Sequence, residues 1–161
     1  MKEVLDTELQ LFLRSILPDE DAVQTELREY ADAHHISVVD PEVGYLLHVL
    51  TGLVKPQNVL EIGTAIGCSG IYIARAMNGG KLTTIELTEE RHNMALEYFR
   101  RAGVADNIQA ICGDAREIVP QLTEQYDMIF MDAAKGQYLE FLAVADRILK
   151  PGGLLVADNV L

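Results

Sequence analysis

The chain has 161 residues and a formal net charge of −12, with 49% hydrophobic and 24% charged residues. That length fits one domain with a real core, and no apolar stretch approaches the roughly 20 residues of a membrane span. The acidity argues against a general nucleic-acid or anionic-membrane surface, which needs clustered Lys and Arg.

Met1 to Glu8 mixes acids among apolar residues, unlike a secretory or transit peptide, so a cytoplasmic chain is expected. Leu5, Leu9, Phe12, Leu13, Ile16 and Leu17 recur at helical spacing up to Pro18. Asp19 or Asp21 can cap a second helix reaching about Ala33. After His34-His35, Ile36 to Val39 is predicted to be extended, because Asp40 precedes Pro41. A third helix from Pro41 carries Val43, Leu46, Leu47, Leu50 and Leu53. Residues 1–54 thus form a helical layer on the same domain as the rest, 58–161.

From Asn58 strands and helices alternate. Strands are predicted at Val59–Ile62, Lys81–Ile85, Ile108–Cys112, Tyr126–Met131 and Gly153–Ala157. Helices are predicted at Ser69–Met77, Thr88–Ala102, Ala115–Leu122 and Tyr138–Leu149, with Pro151-Gly152-Gly153 as a helix stop. Strands this dense in Val, Ile, Leu and Met are buried on both faces, as in a parallel sheet. The fold class is α/β, a doubly wound, Rossmann-like sheet flanked by helices.

Ligands of such sheets bind at the carboxyl ends of the strands. Glu61 and Gly63 fall there on the first strand and Glu86 on the second; Asp114, Asp132 and Asp158-Asn159 follow the third, fourth and fifth. The glycines Gly63, Gly67 and Gly70 are spaced G-x-x-x-G-x-x-G rather than as the dinucleotide G-x-G-x-x-G. Glu61 beside that loop repels phosphate and favours a cationic ligand. Glu86 is placed for ribose hydroxyls, and Asp114 for an adenine amino group or simply as a helix cap. S-adenosylmethionine fits this set better than a nicotinamide dinucleotide. Asp132, Asp158 and Asn159 together offer three oxygens to a hard cation such as Mg2+ or Mn2+, a set for which an NAD-dependent oxidoreductase has no use.

The segments Val59-Leu60-Glu61-Ile62-Gly63-Thr64-Ala65-Ile66-Gly67-Cys68-Ser69, Thr84-Ile85-Glu86, Gly113-Asp114-Ala115, Asp132-Ala133-Ala134-Lys135 and Asp158-Asn159-Val160 occur in that order. In this combination the chain resembles the cation-dependent O-methyltransferases that include catechol and caffeoyl-CoA O-methyltransferases, over about Val38 to Leu161. Within that group, His34-His35 and Asp132 to Tyr138 look most like bacterial tRNA 5-hydroxyuridine methyltransferases. The resemblance implies that Val39, Glu61, Gly63, Ser69, Glu86, Asp114, Ala115 and Asp132 line the S-adenosylmethionine site. It implies metal ligation by Asp132, Asp158 and Asn159, a catalytic Lys135 beside Asp132, and a homodimer. The expected acceptor is a vicinal oxygen pair, that of 5-hydroxyuridine in tRNA, with a catechol-like small molecule as the alternative and no membrane partner.

Proteins of that family continue with two further strands, absent after Leu161, so a longer natural protein or an incomplete chain is expected. A non-catalytic cofactor-binding remnant is the rival that follows. His34-His35, His48 and His92 lack metal spacing, and structural roles are expected. Tyr138 either stacks on a substrate base or starts its helix. Cys68 and Cys112 read as reduced packing residues; Cys68, at a helix N-terminus, is the better candidate for reactivity.

Overall fold

The computed structural model describes residues 7–132 and 138–158. Helices α1 (Thr7–Ile16), α2 (Ala22–Ala33) and α3 (Pro41–Val54) precede the sheet. Then come β1 (Asn58–Ile62), α4 (Cys68–Ala76), β2 (Lys81–Glu86), α5 (Glu89–Arg101), β3 (Ile108–Cys112), α6 (Ala115–Ile118), β4 (Tyr126–Met131), α7 (Tyr138–Ile148) and β5 (Leu149–Ala157). The sheet order is β3-β2-β1-β4-β5 with every pairing parallel. The order reverses between β1 and β4, which is where open α/β sheets bind ligands. Among the described residues no helix is long and apolar enough to cross a membrane.

The strand period of two divides the core. Val59, Leu82, Met128 and Phe130 pack with α2, α3, α4 and α5 on one face. Leu60, Ile85, Ile129 and Met131 pack with Phe141, Ala145 and Ile148 of α7 on the other. Full burial of such side chains stabilises by about 1.5–3 kcal/mol each. Helix α3 lies close on α4 because Gly44 has no side chain: a Cβ there would sit 2.3 Å from the Tyr72 ring. Asp127 ties the amino ends of the strands together. Its carboxylate accepts from the amides of Gln57 and Asn58, both at 2.9 Å, and pairs with Lys150 at 2.7 Å.

Helix α2 ends in a Schellman motif. His35 adopts φ 53°, its amide donates to the Asp32 carbonyl, and the Ile36 amide reaches back to Ala31 at 2.9 Å. His34 stacks on Tyr30, with ring centroids 3.8 Å apart, and its Nδ1 meets the Tyr30 carbonyl. The histidine pair therefore terminates a helix, as the structural reading expects.

Two boundaries differ from the sequence reading. The segment after Asp114 is one turn of α-helix followed by a 3-10 turn at Val119–Gln121, because Pro120 supplies no amide for a longer helix. Pro151-Gly152-Gly153 lies inside β5 rather than before it. The strand pairs from Leu149 opposite Tyr126, then shifts register so that Leu154 faces Met128. Gly152, at φ 81°, lets the chain bulge there. β5 is the edge of the described sheet, with Leu154 to Ala157 half-buried.

Candidate cofactor and metal site

Hydrogen bonds of the sheet run one residue past the strands on the carboxyl side. Gly63 donates to Ile85 at 3.1 Å, Gly113 to Glu86 at 2.8 Å, Asp132 to Ile62 at 2.9 Å and Asp158 to Met131 at 3.0 Å. This brings Gly63, Glu86, Asp132 and Asp158 to one edge, as the sequence predicts. A cavity of about 290 Å3 opens there, with Gly63, Glu86, Asp114, Ala115 and Asp132 on its wall. Ser37, Ala65, Thr88, Arg91 and Arg116 also line it. No motif marks Ser37, Arg91 or Arg116 in the sequence; Thr88 alone carries a signal, as the cap position of α5 just after Glu86.

Glu86 is 6% exposed, and its two oxygens accept from the amides of Ala65 at 2.8 Å and Thr88 at 2.9 Å. Each carboxylate oxygen has a second acceptor site, which suits a pair of vicinal ribose hydroxyls. Asp114 caps α6 through the Arg116 amide at 2.8 Å and also holds the Arg116 guanidinium. These bonds hold its carboxyl below the usual range. Asp114 is therefore a helix cap on the cavity wall, and an adenine amino group there would share it with Arg116.

Glu61 stands apart from the cavity wall. The parity that places Val59 under α4 also places Glu61 there, fully buried. Its oxygens accept from Ser69 Oγ at 2.5 Å and Thr84 Oγ1 at 2.6 Å. Burial pushes its carboxyl up to about 7; the two hydroxyls oppose the rise, and the charges of Asp132 and Glu86 add to it. Ser69 is likewise buried beneath the loop. Val39 packs into the core, and its carbonyl accepts from Arg28. None of these three is among the residues that wall the cavity.

The glycine loop depends on a position that only glycine fills without strain. Gly67 has φ 99°, and a Cβ there would meet the Phe99 ring at 2.8 Å. Cys68 follows it, 3% exposed, and burial pushes its thiol up to about 12. Cys68 is thus a core packing residue, as the sequence reading expects, and burial removes its advantage over Cys112 as a reactive thiol. Cys112 is the exposed thiol.

Burial, reinforced by the charge of Asp158, pushes the Asp132 carboxyl up to about 6. Two acids at adjacent strand ends match the donor chemistry of a hard cation. Among the described residues no three His, Cys, Asp or Glu side chains form a metal cage. Asn159 and Lys135 lie outside the described residues, as does the side chain of Tyr138.

Residues 15–161 match the O-methyltransferase family, and the chain belongs to it. A catechol O-methyltransferase from Niastella koreensis is 38% identical over 149 residues, covering 89% of this chain and 67% of that protein. Caffeoyl-CoA O-methyltransferase 1 of Eucalyptus globulus is 34% identical over 155 residues, covering 91% and 63%. The crystal structure of the O-methyltransferase TomG from Streptomyces achromogenes, involved in tomaymycin synthesis and in complex with SAM, superposes with a TM-score of 0.88. It is 32% identical, and the match covers 94% of this chain and 71% of TomG. The chain spans about two thirds of the length of the two sequence relatives.

Proposed function

We propose that the protein is an S-adenosylmethionine-dependent O-methyltransferase acting on acceptors with two neighbouring oxygens, with a divalent cation. The observation that carries this reading is the row of acids around the cavity where the strand order reverses, in a chain of the O-methyltransferase family. Glu86 binds the ribose hydroxyls, Asp114 the adenine amino group, and Gly63 leaves the close approach that the methionine portion needs. The bound cofactor supplies a methyl group on a sulfonium. Asp132, Asp158 and Asn159 would hold the cation, which would supply Lewis acidity to make an acceptor hydroxyl more acidic. Lys135, three residues beyond Asp132, would take the hydroxyl proton as a neutral amine, or stabilise the oxyanion as its ammonium.

The names of the two sequence relatives favour a catechol-like small acceptor. The second reading, 5-hydroxyuridine of tRNA, is supported by the run Asp132 to Tyr138 and by chemistry, since O4 and the 5-hydroxyl form the same vicinal pair. A homodimer follows from the same resemblance, and light scattering tests it. Calorimetry with S-adenosylhomocysteine and NAD, then transfer assays on catechols and undermethylated tRNA with Mg2+ or EDTA, test the rest. Binding of NAD alone would refute the reading. Binding of S-adenosylhomocysteine with no transfer to either acceptor would leave a non-catalytic binding protein.

A further inference from the structure

The cavity is walled by two segments that belong to different layers. Ser37 comes from the stretch between α2 and α3; Gly63 and Ala65 come from the glycine loop that leads into α4. One side chain touches both segments. Arg28 of α2 donates from Nη1 to the Val39 carbonyl at 2.8 Å, and from Nη2 to Cys68 Sγ at 3.6 Å. Glu20 fixes the guanidinium by accepting from Nε at 2.9 Å and Nη2 at 2.7 Å. Glu20 is itself held by Tyr72 Oη of α4. The Arg28 and Glu20 side chains are only 18% and 14% exposed, so the pair is screened from water and its two-pronged geometry is rigid.

We infer that Arg28 is a positioning residue: clasped by Glu20, it sets the distance between the 36–40 segment and the glycine loop, and so the width of the cofactor cleft. This rests on the cofactor reading above. Arg28 touches none of the reacting atoms. Its planar fork satisfies Glu20, Val39 and Cys68 together, which the single ammonium of a lysine does not. A ligand that packs against both walls then meets a cleft whose ordering cost is already met.

The test compares Arg28→Gln and Arg28→Lys with Arg75→Gln in the full chain. Arg75 also bridges α4 to α2, through Gln24 and Asp21, but contacts neither cavity segment. Calorimetry with S-adenosylhomocysteine is expected to show at least tenfold weaker binding for Arg28→Gln and three- to tenfold for Arg28→Lys. Arg75→Gln should stay within twofold of wild type. In turnover, KM for S-adenosylmethionine should rise while kcat stays within threefold. Amide exchange at Ser37–Val39 and Gly63–Cys68 should quicken in the Arg28 variants alone. Unchanged binding in the Arg28 variants, or equal loss in Arg75→Gln, overturns the inference. If the wild type takes no S-adenosylhomocysteine, the cofactor reading fails, and the exchange data still decide the clasp. Should Arg28→Gln not fold, Arg28→Lys carries the comparison.

Discussion

The Asp132 amide donates to the Ile62 carbonyl at 2.9 Å, which sets the acid at the end of β4 level with the turn at Gly63. Whatever the glycine loop holds therefore lies within reach of the acid that the proposed chemistry needs. Asp132 stands in a half-buried position with Asp158 nearby, and both burial and that neighbour favour its neutral form.

Asp132→Asn is expected to lower methyl transfer by roughly 10²-fold or more at saturating Mg2+, since a neutral amide is a poor cation ligand. The same change should raise stability by about 1 kcal/mol at pH 7 in EDTA, because a charge disfavoured by its surroundings is gone. Thermal melts and initial rates measure the two effects. Wild-type rates in the variant would remove Asp132 from the chemistry.

Glu61 makes stability depend on pH. Its folded pKa of about 7 lies above the ordinary 4.5, so the folded chain binds this proton more tightly than the unfolded chain. Stability is then highest near pH 4.5 and falls as pH rises through 7, by on the order of 3 kcal/mol at most. Asp21 and Asp127 run the other way, but their carboxyls lie below 3.8, so their contribution is flat above pH 5. Urea unfolding at pH 5, 6, 7 and 8 in EDTA should show a smaller decline for Glu61→Gln than for wild type. Parallel curves would mean that Glu61 stays ionised throughout.

His35→Gly should stabilise the chain by about 0.5–1 kcal/mol, since a left-handed residue at a helix end is least strained as glycine. The urea midpoint reads this directly. A lower midpoint would show that the imidazole makes contacts worth more than the backbone strain.

The parallel sheet was legible because its strands are apolar on both faces and end in polar residues. The same reading misplaced Pro151-Gly152-Gly153, because a bulge and a helix stop use the same residues and only the register with Tyr126 and Met128 separates them. At the site, strand ends located Glu86, Asp114 and Asp132. Glu61 sits one pleat from the cavity wall, and its parity with Val59 was the signal that tells its face. Arg28 left no trace in the motifs: its importance comes from three partners at sequence separations of 8, 11 and 40.

At its amino end the sheet is pinned, with Asp127 neutralised by Lys150 and two amides. At its carboxyl end Glu61 and Glu86 accept only from hydroxyls and amides among the described residues, with Asp132 close to Glu61 and Asp158 close to Asp132. Under the proposed function, cargo that brings positive charge relieves this crowding of acids. Resistance to unfolding is then expected to report on loading, with the empty state the more exposed to heat and proteases.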